Sequence, residues 1–122
     1  MVSYSEYYKL ENIVKSRLTC TNNKGLVHRI GGPAREGVFA NDNICYREWL
    51  INGIYHRTDG PARELYYENG VLRCAEWLVN GIYHRTDGPA CVEFDSKGNI
   101  IKKKYFLMGK ELTEEDFNST QL

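Results

Sequence analysis

No stretch of the 122-residue sequence approaches the ~20 consecutive apolar residues that span a bilayer. The N-terminal MVSYSEYYKLENIV carries Glu6 and Lys9 where a secretory signal would place its apolar segment, so a cytoplasmic protein is expected. Net charge is missing too. Sixteen Lys+Arg balance 16 Asp+Glu for a formal charge of +0, which removes the usual drive toward nonspecific binding of nucleic acid or anionic membrane. The four cysteines, Cys20, Cys45, Cys74 and Cys91, form no C-x-x-C pair and have no histidine at zinc-ligand spacing. They read as reduced thiols, and neither a metal nor another cofactor is expected. The 42% hydrophobic content excludes a disordered chain, and ~120 residues suit one domain with one core.

Histidine and proline are scarce, three of each, and their positions are informative. His28, His56 and His84 are separated by 28 residues, as are Pro33, Pro61 and Pro89. The spacing marks a repeat. NGIYHRTDGPA at 52–62 recurs unchanged at 80–90, a worn copy GLVHRIGGPA occupies 25–34, and Lys104–Gly109 aligns with Glu76–Gly81 as the start of a fourth unit that breaks off. Arrays of this kind commonly end in atypical capping units.

Within a unit the signals are those of β-hairpins. Arg63–Tyr67 leads into Glu68-Asn69-Gly70, where Asn-Gly predicts a two-residue type I′ turn. The return strand Val71–Val79 places Val71, Ala75, Trp77 and Val79 on a more apolar face and Leu72, Cys74, Glu76 and Leu78 on the other. That pattern predicts a sheet with one side buried. Asn80-Gly81 opens the next segment, and Asp87-Gly88-Pro89 reads as a turn whose carboxylate accepts backbone N–H bonds. At the ends, Tyr7, Leu10, Val14 and Leu18 have helical spacing behind Ser3 or Ser5, and Thr113-Glu114-Glu115-Asp116 resembles a capping box. The expected organisation is a mainly all-β single domain, an antiparallel meander of stacked hairpins. A helical cap covers 1–22, three repeats plus a truncated fourth cover 23–112, and a second helical cap covers 113–122.

The run Tyr66-Tyr67-Glu68-Asn69-Gly70-x-Leu72 followed by Trp77-x-x-Asn80-Gly81 resembles the β-hairpin repeats of MORN proteins, especially the repeat variants of some bacterial toxin–antitoxin-type proteins. The fuller form, W-L-x-N-G-x-x-H-R-x-D-G-P-A, is similar to repeats in proteins of bacteriophages and large DNA viruses, and the resemblance covers about residues 24–112. It implies a single-layer sheet of stacked hairpins that serves as an interaction platform, and it implies no reaction. The 28-residue unit and the long segment after each Asn-Gly depart from the MORN pattern, so membrane binding is not carried over.

The repeated polar residues have two readings. In one, each loop solves the same folding problem: Asp caps a turn, Pro fixes φ, and His or Arg bonds a neighbouring group. In the other, His28, Arg29, His56, Arg57, Asp59, Arg63, His84, Arg85 and Asp87, with Tyr55 and Tyr83 beside them, form a ladder that binds a partner. Equivalent residues two strands apart would lie on the order of 10 Å from one another, too far for His56 and His84 to share a zinc. The same spacing lets separate guanidinium groups engage separate phosphates or carboxylates. His56-Arg57-Thr58 and His84-Arg85-Thr86 also look like the paired H-x-T motifs of two-histidine phosphodiesterases. Against that stand the duplication, the charged middle residue and the short interval. Lys102-Lys103-Lys104 reads as an anti-pairing edge feature. All eight Arg precede residue 86 and five of the eight Lys follow residue 96, so zero net charge still permits a local Arg-lined site.

The expectation is a non-catalytic platform for a host protein, an accessory protein of a phage or virus that neutralises a host defence component. The alternatives are sequestration of a small phosphorylated ligand such as a nucleotide signal, the phosphodiesterase, and a structural component.

Overall fold

The computed structural model describes residues 14–121. In chain order its strands are β1 Val14–Thr19, β2 Arg35–Phe39, β3 Ile44–Glu48, β4 Leu50–Ile51, β5 Ile54–Tyr55 and β6 Arg63–Tyr66. They continue as β7 Leu72–Glu76, β8 Leu78–Val79, β9 Ile82–Tyr83, β10 Cys91–Phe94, β11 Ile100–Leu107 and β12 Lys110–Leu112, followed by helix α1, Glu114–Ser119. Eight of them form one antiparallel meander in the order β1-β2-β3-β6-β7-β10-β11-β12. The pairs β4–β5 and β8–β9 are separate hairpins, inserted where the chain leaves β3 and β7.

Two kinds of turn build this path. At Asn52-Gly53 both residues have positive φ (50° and 79°), as at Asn80-Gly81 (52° and 77°), the signature of type I′. Met108-Gly109 repeats it at 50° and 84°, although Met has no amide to ease the left-handed conformation. The expected I′ turn at Asn69-Gly70 is corrected. Only Gly70 has positive φ, Gly70 N–H donates to Tyr67 O, and Tyr67 N–H donates to Val71 O, which is a three-residue loop with a G1-type bulge. Asn69 instead accepts from Val71 N–H through its side chain. The same bonding closes Phe39–Asn43 and Asp95–Asn99.

The C-terminal helix forms where the capping residues place it. Thr113 Oγ1 accepts from Asp116 N–H at 3.1 Å, three acids occupy the first turn, and Phe117 is buried against Tyr105 with ring centroids 4.7 Å apart. Burying that ring contributes roughly 1.5–3 kcal/mol and fixes α1 to the β11 side of the sheet. The expected N-terminal helix lies outside the described residues up to position 13, and its last turn is corrected: Val14–Thr19 is strand. The edge of β2 offers unpaired backbone groups, and β1 satisfies them in the register Val14↔Phe39 to Thr19↔Arg35. Tertiary pairing overrides the local helical spacing.

The one-sided burial expected for Val71–Val79 is also corrected. Ala75 and Glu76 point to opposite sides of β7, yet both are buried, at 1% and 8% exposure. On the Glu76 side the registers Arg35↔Glu48, Glu48↔Arg63 and Arg63↔Glu76 line up a ladder of alternating charge across β2, β3, β6 and β7. Arg63 Nη1 lies 2.8 Å from Glu76 Oε1 and Arg63 Nε lies 3.3 Å from Glu48 Oε2, while Arg35 pairs with the other oxygen of Glu48. Buried charges require cover and full pairing. The inserted hairpins provide both: Tyr55 and Tyr83 hydroxyls donate to Glu48 Oε2 and Glu76 Oε2 at 2.6 and 2.8 Å. The expected single layer is thus a sheet with a second layer of short hairpins. A separate apolar cluster, Phe39, Cys45, Tyr46, Leu65 and Cys74, fills the core, with Tyr46 lying over Gly37 opposite it.

Candidate functional site

The segments 28–34, 56–62 and 84–90 leave the hairpins as elbows without strand structure. Each docks on the hairpin that follows it in the chain. Arg29, Arg57 and Arg85 backbone N–H groups donate to Leu50, Leu78 and Phe106 carbonyls, at 3.1, 3.1 and 3.2 Å. Gly53, Gly81 and Gly109 N–H groups return bonds to Val27, Tyr55 and Tyr83.

The three histidines complete these joints. Nδ1 of His28, His56 and His84 accepts from the backbone N–H of Asn52, Asn80 and Met108, at 2.9, 3.0 and 2.9 Å. Those N–H groups belong to the first residue of each I′ turn. A neutral imidazole that accepts at Nδ1 carries its proton on Nε2, which leaves one donor and no acceptor nitrogen.

Arg57 and Arg85 are each held at three points. Nε donates to Asp59 and Asp87 at 2.9 and 2.8 Å, and Nη1 donates to the Pro61 and Pro89 carbonyls at 3.1 and 3.0 Å. Each guanidinium lies 3.8 Å from the ring centroid of Trp49 or Trp77, a cation–π contact. Glycine is required behind it, since a Cβ at Gly60 or Gly88 would approach the Arg Cζ to 2.7 or 2.8 Å. The hydrogen-bonded Arg holds each Asp carboxyl below its ordinary range. Among the described residues the Arg29 side chain keeps only its bond to the Pro33 carbonyl, at 3.3 Å, because Gly31 and Thr21 stand where the Asp and Trp would be.

The remaining candidates separate. Arg63 is buried at 3% exposure inside the ladder and belongs to the framework. Tyr55 and Tyr83 donate into that ladder. Burial, reinforced by the Glu48 charge, pushes the Tyr55 hydroxyl up to about 12, and burial beside Glu76 raises Tyr83 in the same way. Cys91 takes the ladder position after Glu76, and burial pushes its thiol up to about 12. Sequence reasoning missed Glu48 and Glu76 as the partners of Arg35 and Arg63, although both pairs recur at the 28-residue interval. Lys102 and Lys103 form ion pairs with Glu93 and Glu114 at 3.7 and 3.0 Å, on the stretch of β11 whose partner among the described residues is β10 alone.

Between consecutive elbows lie two grooves of like construction. One, about 520 Å³, has Trp49 as its floor and is flanked by Arg29 and His56; the other, about 610 Å³, has Trp77, flanked by Arg57 and His84. Thr58 borders both, and Thr86 borders the second. Beside them the hairpin tips carry Leu26, Ile54 and Ile82, at 43, 50 and 45% exposure. Among the described residues no group of three or more His, Cys, Asp or Glu is placed to hold a metal ion, and no helix is long and apolar enough to cross a membrane.

No protein-family model, curated protein or solved structure matches the chain.

Proposed function

We propose that the chain is a non-catalytic protein-binding platform built from stacked 28-residue hairpin units of MORN-like type. On the resemblance of its repeat to phage and large-virus proteins, it is an accessory protein that binds and neutralises a host defence component in the host cytoplasm. The observation that carries the platform reading is the pair of grooves at equivalent places in consecutive units. Each is lined by a tryptophan stacked with an arginine, Arg57 on Trp49 in one and Arg85 on Trp77 in the other, and these are among the residue types enriched at protein-binding hot spots.

This reading accounts for the polar residues better than its rivals do. An anionic ligand would meet guanidinium charge that Asp59 and Asp87 already compensate. A two-histidine phosphodiesterase needs an imidazole with a vacant acceptor, and the Nδ1 atoms are occupied by backbone N–H groups. The test is affinity capture from a lysate of the cell in which the protein is made, comparing the natural chain with a Thr58→Arg, Thr86→Arg variant of unchanged melting temperature. A specific protein held by the first and lost by the second is expected. Equal retention by both, or capture of no protein, would overturn the reading.

A further inference from the structure

We propose that the first groove takes a carboxylate of its partner on Arg29, from a short peptide segment that carries Asp or Glu beside an apolar side chain. The inference rests on the platform reading and names the chemistry that the worn elbow recognises.

The two later elbows supply the template. Arg57 and Arg85 each anchor Nη1 on a proline carbonyl and give Nε to the aspartate two residues on, Asp59 or Asp87, at 2.9 and 2.8 Å. Arg29 repeats the first half of this arrangement. Its Nη1 donates to the Pro33 carbonyl, and its head group lies over Gly32, where a Cβ would meet Cζ at 3.0 Å, against 2.7 and 2.8 Å at Gly60 and Gly88. The second half is missing. Residue 31 is a glycine with φ of 86°, so the elbow has no carboxylate to place on Nε, and among the described residues Arg29 makes no ion pair. A guanidinium presents its N–H donors in a fixed planar fork. A carboxylate brought by another chain therefore meets at Arg29 Nε the same donor that Asp59 and Asp87 meet within their own elbows.

Charge and exposure single out this elbow. The second groove is lined by Arg57 and Arg85 with Asp59 and Asp87, whereas the first is lined by Arg29 and Arg57 with Asp59 alone. Asp59 is committed to Arg57, so the first groove holds one guanidinium in excess and favours an acidic partner. Arg29 is also the exposed arginine of the three, while Arg57 and Arg85 are half-buried against tryptophan. Exposed ion pairs are individually weak, so a carboxylate needs a second contact beside it. Ile30 offers one. It stands where the later elbows have Thr58 and Thr86, lines the same groove, and is 82% exposed, the highest value among the large apolar side chains described. Covering it with an apolar side chain of the partner removes that surface from water.

The experiment follows the arginine Nε–H and backbone amide signals of the ¹⁵N-labelled protein at constant ionic strength. The probes are a short blocked peptide centred on Leu-Glu, the same peptide centred on Leu-Gln, and inorganic phosphate. Expected with the Leu-Glu peptide at millimolar concentration are shifts of Arg29 Nε–H and of the Gly31 and Gly32 amides, while Arg57 and Arg85 Nε–H stay in place. Affinity should be about fivefold lower for the Leu-Gln peptide and for the Arg29→Gln protein, read at the glycine amides. No shift at Arg29, equal shifts at all three arginines, or a stronger response to phosphate than to the peptide would overturn the carboxylate site. In lysate capture, a protein lost by the Thr58→Arg, Thr86→Arg variant but held undiminished by Arg29→Gln would overturn the site and leave the platform standing. Peptide shifts at Arg29 with no protein captured would uphold the carboxylate site and remove the platform reading.

Discussion

The elbow at 28–34 and the elbows at 56–62 and 84–90 perform the same join with different equipment. The first has lost the aspartate and the tryptophan, yet His28 still accepts from Asn52 N–H and Arg29 still reaches the Pro33 carbonyl. At the other end Met108 replaces the asparagine of the turn, and His84 still accepts from its N–H. What survives wear is the hydrogen bonding between one unit and the next. The Asp–Arg–Trp stack is a separable addition that stiffens the two later elbows and shapes the wall of the groove between them.

The largest effect expected on stability comes from the layer beneath the elbows. Glu48 is 0% exposed between two arginines, so Glu48→Ala removes the carboxylate they share and leaves the ladder with excess buried positive charge, which should cost about 3–5 kcal/mol in urea denaturation. Arg35→Ala, at the 31% exposed end of the same ladder, should cost clearly less. Equal losses would mean that the ladder does not act as a buried network.

Next come the elbow glycines. Gly60→Ala and Gly88→Ala press a methyl on a guanidinium already fixed by Trp and Asp, and should cost about 1–3 kcal/mol. Gly32→Ala meets Arg29 at 3.0 Å, but that side chain has neither anchor and can swing away, so its melting temperature should hardly move. A similar loss at all three glycines would erase the distinction between worn and intact elbows. Smaller still, His28→Ala, His56→Ala and His84→Ala should each lose about 1 kcal/mol, and by similar amounts, because each strands one backbone N–H.

The last contrast is absent at neutral pH. Tyr55 is protonated in the folded state up to about 12, against 10.0 when free, so the unfolded chain releases that proton first. Stability is therefore complete below about pH 10 and falls as pH rises toward 12, with Tyr83 and Cys91 shifted in the same direction. The first unit has Val27 at the equivalent position and lacks this hydroxyl. A Tyr55→Phe, Tyr83→Phe protein should show a shallower alkaline loss in denaturation measured from pH 9 to 12, with the parts due to Cys91, Tyr66 and Tyr46 remaining.

Much of this was legible in the sequence because it is local. The histidine and proline interval, the turns at Asn52-Gly53 and Asn80-Gly81, and the Thr113 cap each depend on a few adjacent residues. The misreadings arose where distant pairing decides. Asn69-Gly70 forms a bulged loop that the dipeptide alone does not distinguish from a I′ turn, and Val14–Thr19 is strand because β2 needs a partner. The Arg35–Glu48–Arg63–Glu76 ladder joins residues 13 to 15 positions apart that meet only through register. Its trace was the recurrence of Glu48 and Glu76 ahead of each tryptophan. The candidate site divided along the same line: the residue types were visible, but which of them face inward depends on the second layer.

The framework role of the repeated histidines is tested most directly by their tautomeric state, read from long-range ¹⁵N–¹H correlation spectra of the imidazole rings at neutral pH. All three histidines should carry the proton on Nε2, with Nδ1 showing the shift of a hydrogen-bond acceptor. A proton on Nδ1, or rapid exchange between tautomers at His56 and His84, would contradict the joint between units and return these residues to the list of free ligand-binding groups.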